Sequence, residues 1–178
     1  IEHVERARRA LLAKPGPCKN YGRHVRTVEA LQQAVAERRL VDVAYRAYGR
    51  TKVDRHPYRP YLMTWSDGTL YVMGHSDLRR SLRTFALDRV QSVRLREERF
   101  ELPAGFDGDA LLGESFGIWR DDGAGRVHEV RIDFAREAAQ RVRERQWHPT
   151  QRLRRLPGGG VRLEMRVAGL EDVMRWVL

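Results

Sequence analysis

Only one cysteine, Cys18, occurs in this chain of 178 residues, which excludes an internal disulfide and any zinc site built on several thiolates. No apolar run approaches the roughly 20 residues a membrane-crossing helix needs, and no basic stretch followed by an apolar one near Ile1 reads as a secretory signal. These absences predict a soluble, cytoplasmic protein with no membrane partner. Lysine is scarce too: Lys14, Lys19 and Lys52 are the only lysines among 34 Lys plus Arg, set against 24 Asp plus Glu. What remains is an arginine-rich chain with a formal charge of +10 and enough hydrophobic residues, 42%, to bury a core, so wholesale disorder is excluded.

Two readings of the arginines stand side by side. Guanidinium groups fork phosphate oxygens bidentately and stack on bases, which points to nucleic acid or a nucleotide. A GC-rich genome also enriches Arg together with Ala and Gly, and many of these arginines alternate with Glu or Asp on solvated faces.

Along the chain, residues 1–13 read as a short helix stopped by Lys14-Pro15-Gly16-Pro17. Val28, Leu31 and Val35 recur at helical spacing and predict a second helix over residues 23–39. Alternation then predicts five strands, over residues 41–48, 54–65, 69–75, 81–87 and 91–98, with Asp67-Gly68 a hairpin turn between the second and third. Five short strands after a helix suggest a small barrel. Residues 102–125, with Pro103 and six glycines, read as a connector. A second module follows in the order strand 127–134, helix 136–144, strands 151–156 and 161–167 around Pro157-Gly158-Gly159-Gly160, and helix 169–178. That order is a split α+β sandwich short of its last strand, with an open edge if the chain stops at Leu178. The fold class expected is α+β.

No catalytic or metal constellation is visible. The six histidines (His3, His24, His56, His75, His128, His148) form no i, i+4 pair, Cys18 has no base or oxyanion motif beside it, and the glycine triplet lacks the Lys-Ser/Thr of a phosphate loop. The expectation is therefore no enzyme, no cofactor and no metal. Chemistry concentrates instead in residues 69–90. Alternation sends Tyr71, Met73 and His75 to one face of their strand, and Arg83, Phe85 and Leu87 to one face of the next. If the two strands pair, these groups line a common surface where a base stacks on Tyr71 or Phe85 while Arg79, Arg83 and Arg89 meet phosphates. The competing reading makes Tyr71 and Phe85 core, with Arg89 paired to Asp88 or capping a turn.

Residues 25–96 resemble a WYL domain. The likeness lies in the leading helix, the strand ending in Tyr45-Arg46, Pro60-Tyr61, Leu70-Tyr71-Val72 with Gly74 after it, and the run Arg83-Thr84-Phe85-Ala86-Leu87-Asp88-Arg89-Val90. Leu70 and Val72 depart from the Trp and Leu that name the family, and Tyr71 is kept. The second module is similar to the WYL C-terminal extension through Phe116-Gly117-Ile118, the stretch from Glu144 to Gln151 with its Trp147-His148-Pro149, and Trp176-Val177-Leu178. The resemblance divides the chain into a helical linker (1–24), a WYL domain (25–98), a connector (99–125) and a truncated extension (126–178).

It implies a five-stranded Sm-like SH3 barrel, homodimers, and a basic pocket sensing nucleic acid or nucleotides. Its pocket candidates are Tyr71, His75, Arg79, Arg83, Phe85 and Arg89. Trp65 is expected at the rim or in the core, Trp147 and Trp176 in the packing of the second module, and Arg152, Arg154 and Arg155 either on a phosphate track or on a solvated strand face. The expected function is the effector-sensing and dimerisation region of a bacterial transcription regulator. Single-stranded DNA from damage is the first ligand, and a nucleotide, RNA or cyclic dinucleotide the runner-up. Duplex operator DNA is bound by a winged helix-turn-helix that these residues do not contain. The alternative from another class is a stand-alone Sm-like RNA-binding or scaffold protein.

Overall fold

The computed structural model describes residues 17–118 and 126–178; the expected helix at 1–13 and the last part of the connector lie outside them. Helix α1 (Val25–Glu37) follows a 3-10 turn (Gly22–His24) and buries Leu31 and Ala34. It ends at Arg38, whose backbone is left-handed (φ 53) and whose N–H caps the carbonyls of Ala34 and Val35.

Strands β1 (Arg39–Tyr45), β2 (Asp54–Ser66), β3 (Thr69–Ser76), β4 (Ser81–Ala86) and β5 (Val90–Arg99) form one antiparallel sheet in the order β4-β3-β2-β1-β5. The expected first strand is trimmed at its far end: it stops at Tyr45, and residues 46–53 are loop. Asp67 and Gly68 both have positive φ (44 and 67), the backbone a two-residue hairpin turn demands. Between Pro60 and Leu62 the β2–β3 register slips by one residue, bulging β2 at Tyr61. Gly74 faces this bend, and a Cβ there would lie 2.0 Å from the Arg59 carbonyl oxygen, so only glycine fits.

The sheet curls strongly. Phe85 of β4 stacks on Tyr45 of β1 with ring centroids 4.2 Å apart, although the two strands are separated by β3 and β2; in a flat sheet such strands stand about 14 Å apart. Inside the curl lie Val41, Val43, Tyr58, Val72, Phe85 and Leu87, covered by Leu31 and Ala34 of α1. Among the described residues no strand pairing joins β4 to β5.

The connector is structured over its described part. A short helix α2 (Gly108–Gly113) is capped by the Asp107 carboxylate, which accepts from the N–H groups of Asp109 and Ala110. Phe100 and Phe106 pack on Tyr61, on the outside of the bulge. The same segment grips the second module, where Ala168 N–H donates to the Glu114 carbonyl (2.8 Å) and Ile118 N–H to Asp172 Oδ2 (2.8 Å).

The second module holds strands β6 (His128–Phe134), β7 (Arg152–Arg155) and β8 (Val161–Val167) in the antiparallel order β6-β8-β7, with helices α3 (Arg136–Arg143) and α4 (Glu171–Val177). Ala139, Val142, Leu163, Met165 and Val173 form its core, and Trp147 and Trp176 meet at 4.4 Å as part of the packing, as the sequence suggested. The chain is thus a mixed α+β structure with two sheets.

Candidate functional site

Pairing decides which side chains share a surface. In the β3–β4 register Tyr71 faces Ala86, Val72 faces Phe85, Gly74 faces Arg83 and His75 faces Leu82. Residues opposite each other lie on the same face of a sheet. Phe85 and Arg83 therefore share the inner face with Val72, whereas Tyr71 and His75 lie on the outer face. The expected common surface of Tyr71, His75, Arg83 and Phe85 does not form. Phe85 is buried, touching Tyr45, Tyr58 (4.8 Å) and His56 (5.9 Å), so its ring is core. Trp65 is at the rim, half-exposed and edge-on to Tyr21.

On the outer face, His75 Nδ1 lies 3.2 Å from Arg59 Nη1 and 3.3 Å from Asp77 Oδ1, and Arg59 itself forms an ion pair with Asp77. His75 is thus engaged in a local charge network. Tyr71 is half-buried beside Thr64.

Two of the other candidates, Arg79 and Arg89, gather at one corner, where the end of β1, the start of β2 and the 3-10 turn Leu87–Arg89 meet. Two contacts hold it. Arg46 N–H donates to the Arg89 carbonyl (3.2 Å), and the Tyr58 hydroxyl donates to the Arg83 carbonyl (2.8 Å) from a fully buried ring. The Arg89 guanidinium carbon stands 4.8 Å from the centre of the Tyr48 ring. The partner expected for Arg89 turns elsewhere: Asp88 Oδ2 bonds Lys19 at 2.8 Å, and its Oδ1 is buried with no hydrogen-bond partner among the described residues. Arg79 lies 3.6 Å from Asp54 at the start of β2. Arg79 and Arg89 thus stand around this corner, with Phe85 beneath it, while Arg83 lies further along β4 on the inner face with its Nε buried.

Sequence reasoning passed over three residues here: Tyr45, Tyr48 and His56. Tyr45 stacks on Phe85, and burial raises its pKa despite the nearby Arg89. His56 is buried, and neither ring nitrogen has a hydrogen-bond partner among the described residues. Burial lowers its pKa, Arg79 adds to that, and Asp54 and Asp77 oppose it.

The sign of the pH effect follows. A histidine neutral when folded and free to protonate when unfolded contributes stability that is complete above its unfolded pKa near 6.5, and lost as pH falls below it. Buried His148, its pKa lowered by burial against the pull of the Glu114 and Gly113 carbonyls, acts in the same sense. We expect the unfolding free energy from urea titration to drop between pH 7 and pH 5, with a limiting slope of about 1.4 kcal/mol per pH unit for each such imidazole. His56→Leu should flatten the curve. Parallel curves for His56→Leu and the parent would show that His56 is not buried and neutral.

The corner can offer guanidinium groups to an anion and a ring to a planar group. No group of His, Cys, Asp and Glu able to hold a metal occurs among the described residues.

A small curled antiparallel sheet behind a leading helix, followed by an α+β unit, defines a two-part architecture. The chain is a WYL-domain protein: residues 26–95 match the WYL domain and residues 126–178 the WCX domain. Among solved structures it is similar to proteasome accessory factor B/C (PafBC) of Arthrobacter aurescens, with 22% identity and a TM-score of 0.45. The match covers 85% of this chain and 22% of that one, so the chain spans about a fifth of its length. No curated protein matches the chain.

Proposed function

We propose that this chain is the effector-sensing and dimerisation region of a transcription regulator, and that its effector is single-stranded nucleic acid, DNA in the first instance. One grouping carries the reading: Arg46, Arg50 and Arg89 stand together at one corner around the exposed Tyr48 ring. Some strand arginines elsewhere are neutralised across strands, as in Arg96 with Asp42 (2.6 Å), Arg162 with Asp133 (2.6 Å) and Arg154 with Glu164 (3.3 Å), and others such as Arg94 and Arg152 stand singly without an ion pair among the described residues. At the β1–β2 corner Arg46, Arg50 and Arg89 have no carboxylate partner among the described residues. Guanidinium groups that are clustered and not already held in an ion pair are where phosphate oxygens gain most.

The strand order and the curl that brings Phe85 onto Tyr45 support a barrel of the Sm-like kind, whose rim this corner forms. The chain acts by binding and not by catalysis. A ligand held more tightly by one arrangement of the dimer shifts the population toward it, and a DNA-binding domain of the regulator reads out the shift as altered operator affinity.

Fluorescence anisotropy with single-stranded DNA, RNA, duplex DNA and a cyclic dinucleotide, each at several salt concentrations, tests the ligand. Single-stranded DNA should bind most tightly at every salt concentration. Preference for RNA would favour an RNA-binding role, and equal binding of single strand and duplex would leave only the attraction of a basic surface.

Dimerisation is supported by α4, which leaves Met174 and Val177 about half-exposed beside the second module's core. Sedimentation velocity at tens of micromolar, an ordinary range for obligate dimers, should show a dimer that Met174→Glu converts to monomer. A monomer throughout would remove dimerisation from the account.

A further inference from the structure

We propose that Tyr48 is a base-stacking platform and that the loop of residues 46–52 lays a single nucleic-acid strand across it. The proposal rests on the reading above and adds to it a named contact. Tyr48 is 83% exposed, so its ring contributes nothing to the core. It is nevertheless positioned: Arg89 lies over one face at 4.8 Å, and the loop is tied down by Arg46 N–H on the Arg89 carbonyl and Arg50 N–H on the Ala47 carbonyl (3.1 Å). Gly49, with φ +68, supplies the left-handed residue that turns the chain just after the ring.

The seven residues of the loop include Arg46, Arg50 and Lys52 and no carboxylate. Lys52 lies 3.9 Å from Asp54 and is itself 85% exposed, so this pair leaves it available. A ring with one face held by a guanidinium and the other open to water, flanked by cations, fits a base with phosphates on either side of it. A duplex hides its base faces in the stack and cannot use such a ring. A single strand can.

The test is anisotropy with labelled oligothymidine of about a dozen nucleotides, within the usual site size for such grooves, and with an abasic strand of the same length. Tyr48→Ala should weaken oligothymidine binding about 5- to 150-fold, the range that one base–aromatic stack spans, with its salt slope unchanged. Tyr48→Phe should bind as the parent does. On the abasic strand the parent and Tyr48→Ala should be equal, a result that loop disruption would not give. The proposal is overturned if Tyr48→Ala binds oligothymidine normally, or if it loses as much on the abasic strand. Should the parent bind no single strand better than duplex, the reading beneath the proposal fails first and carries the proposal with it.

Discussion

Phe85→Ala destabilises the first module by about 3 to 5 kcal/mol, the range for removing a large aromatic from a packed core. The ring lies in the curl of the sheet against Tyr45, Tyr58 and His56, and alanine would leave three neighbours without contact on one side. Domain stabilities are commonly 5 to 15 kcal/mol, so this single change consumes a large share of the total. Urea unfolding followed by circular dichroism measures it. Tyr71→Ala, on the outer face and half-buried, should cost clearly less. A Phe85→Ala variant that unfolds like the parent yet no longer binds oligonucleotide would instead make Phe85 a ligand platform and reverse the assignment of faces.

Replacing Arg46, Arg50 and Arg89 together by alanine should have the largest effect on binding. Each phosphate contact on a single strand contributes about 0.7 to the slope of log affinity against log salt, so losing all three should lower the magnitude of the slope by about 2. At low salt the affinity loss should be large and should shrink as salt rises, because screening already weakens the same contacts in the parent. Arg89→Ala alone should lower the slope by about 0.7 and also free the Tyr48 ring from its cation. Arg46 and Arg50 are exposed, so their loss should shift thermal unfolding little, whereas Arg89 is half-buried and hydrogen-bonded to the buried Tyr45, so any loss of stability should come from Arg89 and is measured on the single variant.

The elements were legible because their signals are local. Val41 and Val43 alternate with polar residues, Asp67-Gly68 supplies a turn both of whose residues need positive φ, and Val28 with Leu31 marks one face of α1. Register is not local. Alternation states which residues of β3 share a face and which residues of β4 do, but not which face of one meets which face of the other. The turn at residues 77–80 places Tyr71 opposite Ala86, and a slip of one residue would have put it on the same face as Phe85.

The corner was half legible for a related reason. Arg79, Arg83 and Arg89 stand out in sequence, but the ring beside Arg89 is Tyr48, 41 positions away, and reading the first strand through to residue 48 treated that ring as part of an alternating face. His56 gave no sign of burial. It follows Arg55 in a polar stretch, and only the pairing of β1 with β2, with Val43 opposite His56, turns it inward.

The central claim is that anion binding belongs to this corner and not to the positive charge of the whole chain. The salt dependence of single-strand binding, measured side by side for the parent, the Arg46, Arg50 and Arg89 triple alanine variant, and a control with Arg152, Arg154 and Arg155 replaced by alanine, tests it directly. The two variants remove the same charge from different modules. The account predicts that the corner variant loses about 2 from the slope and most of its affinity, while the control keeps the parent's slope within a few tenths. Equal losses in both variants would contradict it, since binding would then follow net charge alone.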